Sequence, residues 1–198
     1  SQDDTCYKKT TYTVTGTAKG NGTVAGQSVT TNQAVNIGET EIANNGTFTI
    51  TADGKWTVTA YAYDKSGRKS AGSNLVFTRD TVGPTISSFT KTASTSTTIN
   101  VSVSASDGTS GLASSGTYQY YQASTSKSTT TANTYQYTGL VDLGRYTLKV
   151  VVKDKAGNTN AKSITAVTTT VKNFAYTGNV QSFTIPTAGT YKLEVWGA

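Results

Sequence analysis

Residues 54–64, GKWTVTAYAYD, and residues 144–154, GRYTLKVVVKD, decide the fold of this chain. Each places a glycine, a basic residue, an aromatic and a Thr ahead of alternating apolar positions. A near-matching turn follows each one, KSGRKS at 65–70 and KAGNTN at 155–160. A period of two is the signature of a half-buried strand. In the first copy it puts Trp56, Val58, Ala60 and Ala62 on one face, with Thr57, Thr59, Tyr61 and Tyr63 on the other. In the second it turns Tyr146, Leu148, Val150 and Val152 inward. The copies start 90 residues apart, which is domain spacing, so each seeds the centre of its own module.

The surrounding sequence agrees. Thr, Val and Tyr suit pleated surfaces, Gly and Asn suit turns, and no window of ten or more residues has helical apolar periodicity. In residues 1–80, Asn21-Gly22 and Asn45-Gly46 read as tight hairpin turns. GTFTITADG and SNLVFTRD supply further strands. Residues 81–171 repeat the plan through ISSFTKTA, TTINVSVSASD, TYQYYQAS, TYQYTGLVDLG and SITAVTTTV, with STSKSTTTANT (124–134) a polar loop or exposed hairpin tip. Short strands separated by turns every 8–12 residues predict an all-β chain of two tandem antiparallel sandwiches. The predicted core is seeded by Trp56 and Val58 in one and by Tyr146, Leu148 and Val150 in the other. Gly54 and Gly144 let the chain turn sharply into those strands, and Tyr146 sits where a tyrosine corner would tie its hydroxyl to nearby backbone.

A third partial copy, GTYKLEVWGA, occupies residues 189–198. Residues 180–186 and 190–196 alternate as two strands would. A lone hairpin is marginal in water, so 172–198 is expected to pack on the second module or to pair with another chain, a route to self-association through 174–198.

These residues carry two resemblances. DKAGNTN after YTLKVVVK, the linker from Asp80 to Ile86 and SVSASDGTSGLAS resemble the tandem bacterial immunoglobulin-like domains of large secreted surface proteins. The resemblance implies extracellular spacer or adhesin modules without catalytic residues. FAYTGNVQSFTIPTAGTYKLEVWGA (174–198) resembles the opening of the glycine-rich domain of some bacterial surface proteins and of anaplastic-lymphoma-kinase-type receptors, which implies that 172–198 starts a third, truncated domain.

Composition excludes most chemistry. There is no histidine, so the commonest general base and metal ligand are missing, and a Ser-His-Asp triad is impossible. The single cysteine, Cys6, forms no internal disulfide or redox pair; pairing with another chain is left to it. The eleven acids lie mostly at turns and termini, which argues against a paired-carboxylate hydrolase and for a protein that is not an enzyme. No cofactor is expected, with calcium the one ion the residues could take, through Asp80 in the linker and Asp107 in ASDGTSG. Lys9, Asn74 and an acid, Glu39 or Glu41, form the nearest arrangement to a Lys–Asn isopeptide crosslink. Tyr61, Tyr63 and Tyr121 fall on outward registers, where they could stack on sugars or anchor a protein partner together with the 124–134 loop.

The net charge is +6, from 17 basic and 11 acidic residues. The basic residues are scattered rather than gathered in a groove with stacking aromatics, so nucleic acid is not the expected partner. No run of about 18 apolar residues is present, so no helical membrane insertion is expected. SQDDTCYKK lacks the apolar core of a signal peptide, which fits a mature or trimmed chain. The reading is an extracellular, cell-surface spacer or stalk module with a protein or glycan partner; a fibre or virion subunit assembling by strand addition is the polymeric alternative.

Overall fold

The computed structural model describes residues 5–8, 11–13, 26–31, 40–42, 47–63, 67–185, 188 and 190–195. The regular elements among them are all strands. The chain divides into two compact units: Ser1–Thr85 with Ala105–Thr117 and Val152–Asn160, and Ile86–Ser104 with Tyr118–Val151 and Ala161–Ala198.

In the first unit, β1 (Thr5–Tyr7), β2 (Thr11–Thr13), β3 (Gly26–Thr31), β4 (Thr40–Ile42), β5 (Thr47–Thr49), β6 (Gly54–Tyr63) and β7 (Ser73–Arg79) make two sheets. One has the order β1-β7-β6-β3-β4 and the other pairs β2 with β5. β6 carries the first copy of the deciding pattern, and Trp56 and Val58 are buried as the alternation requires. They meet Tyr12, Phe48, Ile50 and Phe77 in one apolar cluster drawn from both sheets. Tyr12 stacks on Phe77 at 4.6 Å and on Phe48 at 5.5 Å. Each such side chain withdraws apolar surface worth roughly 1.5–3 kcal/mol. Gly54 enters β6 at φ 136, a conformation that other residues rarely adopt. At the end of β7, Arg79 is buried and paired with Asp53. Partial burial would raise the Asp53 carboxyl, but bonds from the Thr81 hydroxyl (2.7 Å) and Thr81 N–H (3.1 Å), with the Arg79 guanidinium, hold it below its ordinary value.

Largely within the second unit, β8 (Thr85–Ser94), β9 (Ile99–Ser106) and β12 (Thr134–Tyr137) form a sheet of order β12-β9-β8. β10 (Tyr118–Gln122), β11 (Thr125–Thr130), β13 (Arg145–Lys153) and β14 (Thr159–Val167) form the other, in the order β11-β10-β13-β14. Phe89, Ile99, Val101 and Tyr137 from the first sheet and Tyr120, Leu148 and Val150 from the second are buried. This is the immunoglobulin-like sandwich that the sequence predicts. Tyr120 and Tyr137 lie at its centre, and burial, reinforced by neighbouring tyrosines, raises both phenol pKa values.

That shift gives an expected result at alkaline pH. A buried phenol whose folded pKa exceeds the unfolded value of about 10 contributes stability that is intact below pH about 10 and lost as pH rises beyond it. Tyrosinate absorbance should therefore show a late, cooperative step coinciding with loss of near-ultraviolet circular dichroism. Smooth titration of all 12 tyrosines with the fold intact would contradict it.

Several expectations need correction. Of the two readings of residues 124–134, the loop is corrected and the hairpin is found: residues 125–130 are a strand whose Ser/Thr run pairs with β10 across a two-residue turn at Ala123–Ser124, because Thr is well suited to an edge strand. Tyr146 is half-buried rather than core. It does make the expected corner, its hydroxyl accepting the Val141 N–H at 2.7 Å. Gly144 is needed beside it, since a Cβ there would lie 2.6 Å from the Tyr146 hydroxyl. The described residues of 172–195 hold no strand, and those from Val171 onward are exposed, consistent with the weakness of an isolated hairpin. The two Asn-Gly turns at 21–22 and 45–46 lie outside the described residues.

Candidate metal centre

β13 buries every second side chain, Leu148, Val150 and Val152, and the same parity carries on to Asp154, which is 1% exposed. Asp80 follows directly on β7 and is 0% exposed. Asp107 begins the segment after β9 and is half-buried. One oxygen from each carboxylate lies within 4.8 Å of the other two. All three residues belong to the first compact unit. The structure thus joins the two predicted aspartates and adds a third, Asp154, at the end of the 144–154 stretch.

Backbone and amide donors hold the cluster. Asp107 Oδ1 accepts from the N–H groups of Ser110 (2.9 Å) and Gly111 (2.8 Å), which wraps the loop around it. Asp80 Oδ2 accepts from the same Ser110 N–H at 3.1 Å, and its Oδ1 accepts from Val82 N–H at 3.0 Å. Asp154 takes both donors of Asn158, the N–H on Oδ1 and Nδ2 on Oδ2, each at 2.7 Å. Asn158 Nδ2 also donates to the Asp80 and Val82 carbonyls. Among the described residues no lysine or arginine pairs with any of the three carboxylates.

Calcium takes oxygen ligands at about 2.4 Å, so two oxygens on one ion lie at most about 4.8 Å apart. The carboxylate spacing meets that limit. Main-chain carbonyls and water could complete the six to eight ligands calcium prefers. Two buried carboxylates this close need compensation, which the Ser110, Val82 and Asn158 donors begin and a cation would complete.

Tyr61 and Tyr63 are half-buried, and residues 69–72 lie against them. The Lys69 ammonium stands 3.8 Å from the Tyr61 ring centre and 5.8 Å from that of Tyr63, and a Cβ on Gly72 would touch Thr59 and Tyr61. Tyr121 is half-buried likewise, with Lys149 4.3 Å over its ring and its hydroxyl donating to Gln119. One face of each ring is therefore already occupied by a cation, which leaves less open surface for sugar stacking than the outward register suggested. Asn74 is exposed and accepts the Thr59 hydroxyl proton at 2.8 Å, so it lacks the burial an isopeptide bond requires; Lys9 and Glu39 lie outside the described residues. Cys6 is a half-buried cysteine on β1, outside any disulfide.

No family model matches the chain. Over 147 residues it is 34% identical to Exoglucanase B of Cellulomonas fimi, an alignment covering 69% of this chain and 13% of that relative. The chain thus spans only a small part of the curated relative it matches. Among solved structures it is similar to the fibronectin(III)-like modules of Clostridium thermocellum CbhA, with 16% identity, TM-score 0.44 and coverage of 88% of this chain and 94% of that one. A two-domain fibronectin type III segment of chicken tenascin gives 15% identity, TM-score 0.39 and coverage of 84% and 95%.

Proposed function

We propose that this chain is a non-catalytic spacer or adhesive module of a larger extracellular bacterial protein. Its sandwiches are read as residues 1–80 and 81–171, with 172–198 the start of a further domain. The observation that carries the reading is the match to Exoglucanase B, which falls on 13% of a much longer polypeptide and covers a chain without a histidine. The buried state of Asp80 and Asp154 also supports it, because a substrate cannot reach carboxylates closed off from solvent.

The test is a glycan array with a pull-down, run beside a hydrolysis assay on soluble glucans. A passive module retains no glycan or protein selectively and releases no sugar. Selective retention would replace the spacer with a binding module, and turnover would overturn the non-catalytic reading.

Within this reading, Asp80, Asp107 and Asp154 take calcium. The ion would neutralise three clustered charges and fasten the segment after β7 to the two loops that hold Asp107 and Asp154. Its part is structural.

A further inference from the structure

One hairpin of the second unit is built almost wholly of hydroxyls. Eight of the eleven residues in STSKSTTTANT (124–134) are Ser or Thr, and Lys127 is the one charged residue. β11 carries most of them and closes one side of the sheet β11-β10-β13-β14; among the described residues no strand pairs with its outer edge. On its inner side Thr130 pairs with Tyr118 and Ser128 with Tyr120, and both hydroxyl residues are half-buried there. Ser124, Thr125, Ser126, Thr129, Thr131 and Thr134 are exposed.

Elsewhere in this unit such hydroxyls hold the fold together. Thr168 Oγ1 donates to the Val141 carbonyl at 2.7 Å, Thr95 and Thr98 bond each other at 2.7 Å, and Ser94 meets Thr169 at 2.9 Å. Within 124–134 the Thr130 hydroxyl does similar work, accepting the Ala132 N–H at 3.1 Å. The six exposed hydroxyls form no hydrogen bond among the described residues. Their oxygens are open to a reagent from outside.

We propose that these six hydroxyls are a modification site, the acceptors of O-linked hexose from a glycosyl phosphate donor, nucleotide- or lipid-linked. The Ser or Thr oxygen attacks the anomeric carbon of the donor. The bond from that carbon to the donor's phosphate oxygen breaks, and the phosphate leaves with the electron pair. The hydroxyl proton passes to a base of the transferase, and nothing is oxidised or reduced. An enzyme working along a protein surface needs its acceptor extended, with one side of the backbone open. β11 offers both, and main-chain bonds of strand addition would seat it. No carboxylate lies in 124–134 to repel the donor's phosphate, and Lys127 attracts it. The product also has a use. A sugar is bulky and solubilising, and on an edge strand it stops that edge from templating another chain, a task for which β11 has one lysine and no proline. This use rests on the reading of the chain as an extracellular spacer.

Peptide mapping of the full chain, recovered from the medium of the bacterium that makes it, tests the site. Against the same chain made in a cell-free system without sugar donors, it should be heavier by whole hexose increments, and fragmentation should place them within 124–134. The cell-free chain should take up label from a labelled nucleotide hexose given that bacterium's extract; a need for its membrane fraction identifies the lipid-linked donor, and uptake with soluble extract alone the nucleotide-linked one. Replacing all six residues, Thr by Val and Ser by Ala, should abolish the label while near-ultraviolet circular dichroism is kept, and Thr165→Val on β14 should leave it intact. An unmodified 124–134 in the native chain, hexose confined to other residues, phosphate in place of hexose, or no uptake with either fraction would overturn the proposal. The mapping needs no variant to fold. The glycan and hydrolysis assays judge the spacer reading separately, because they report what the chain retains or cleaves and not what is attached to it.

Discussion

Tyr120→Ala should cost about 3–5 kcal/mol, a large share of what holds a domain of this size together. The side chain is 0% exposed. It stacks on Tyr135 at 5.0 Å and lies 6.4 Å from Tyr118, between the two sheets of the second sandwich. Its hydroxyl donates to the Ala132 carbonyl at 3.0 Å. Truncation opens a cavity the size of a ring and leaves that carbonyl without its donor. Tyr120→Phe isolates the second effect and should cost about 1 kcal/mol. Trp56, buried in the other unit, gives an independent fluorescence signal once Trp196 is replaced by Phe. In urea, the alanine variant should unfold its tyrosine-rich unit early while the Trp56 transition stays where it was. If both transitions move together, the units are one cooperative body and the two-module account fails.

The second large effect concerns the aspartate cluster. An ion that binds only the folded state adds about 2.7 kcal/mol at a hundredfold excess over its dissociation constant. For a domain of this size each kcal/mol moves the melting temperature by about 4–8 °C. Calcium at millimolar concentration should therefore raise the melting temperature of the native chain by about 10 °C or more, and chelation should reverse it. Asp154→Asn keeps an oxygen for the Asn158 N–H but removes a charge, and its response to calcium should vanish. Without calcium the same substitution should be mild, because relief of repulsion offsets the disturbed contact with Asn158 Nδ2. A native chain indifferent to calcium would show that the three carboxylates are held by their backbone and amide donors alone.

The parts of the fold governed by alternation were legible. Trp56, Val58, Leu148 and Val150 are buried because a strand between two sheets has no other way to satisfy a period of two. The same parity, followed one step further, points to Asp154 as a buried residue; its place before Lys-x-Gly drew attention to turn chemistry instead. What brings it to Asp80 and Asp107 is tertiary, since the three lie on segments far apart in sequence. β11 was illegible for another reason. TSKSTT has neither an apolar face nor a fixed partner in its pattern, and only pairing with β10 makes it a strand. Nothing local to Tyr61 and Tyr121 announced that Lys69 and Lys149 would settle over their rings. In the tail, the alternation of Tyr191, Leu193 and Val195 is genuine, but pattern without a partner sheet does not make a ladder.

The parallel seat of β1 on β7 makes the first few residues a guard. Tyr7 lies with its ring 6.0 Å from that of Phe77, and Thr5, Cys6 and Tyr7 close the hydrogen-bonding edge of residues 77–79. Proteolytic clipping after Tyr7 would bare that edge and offer it as a template for any other extended chain. Material that has lost its N-terminus in storage should then be the fraction that clumps.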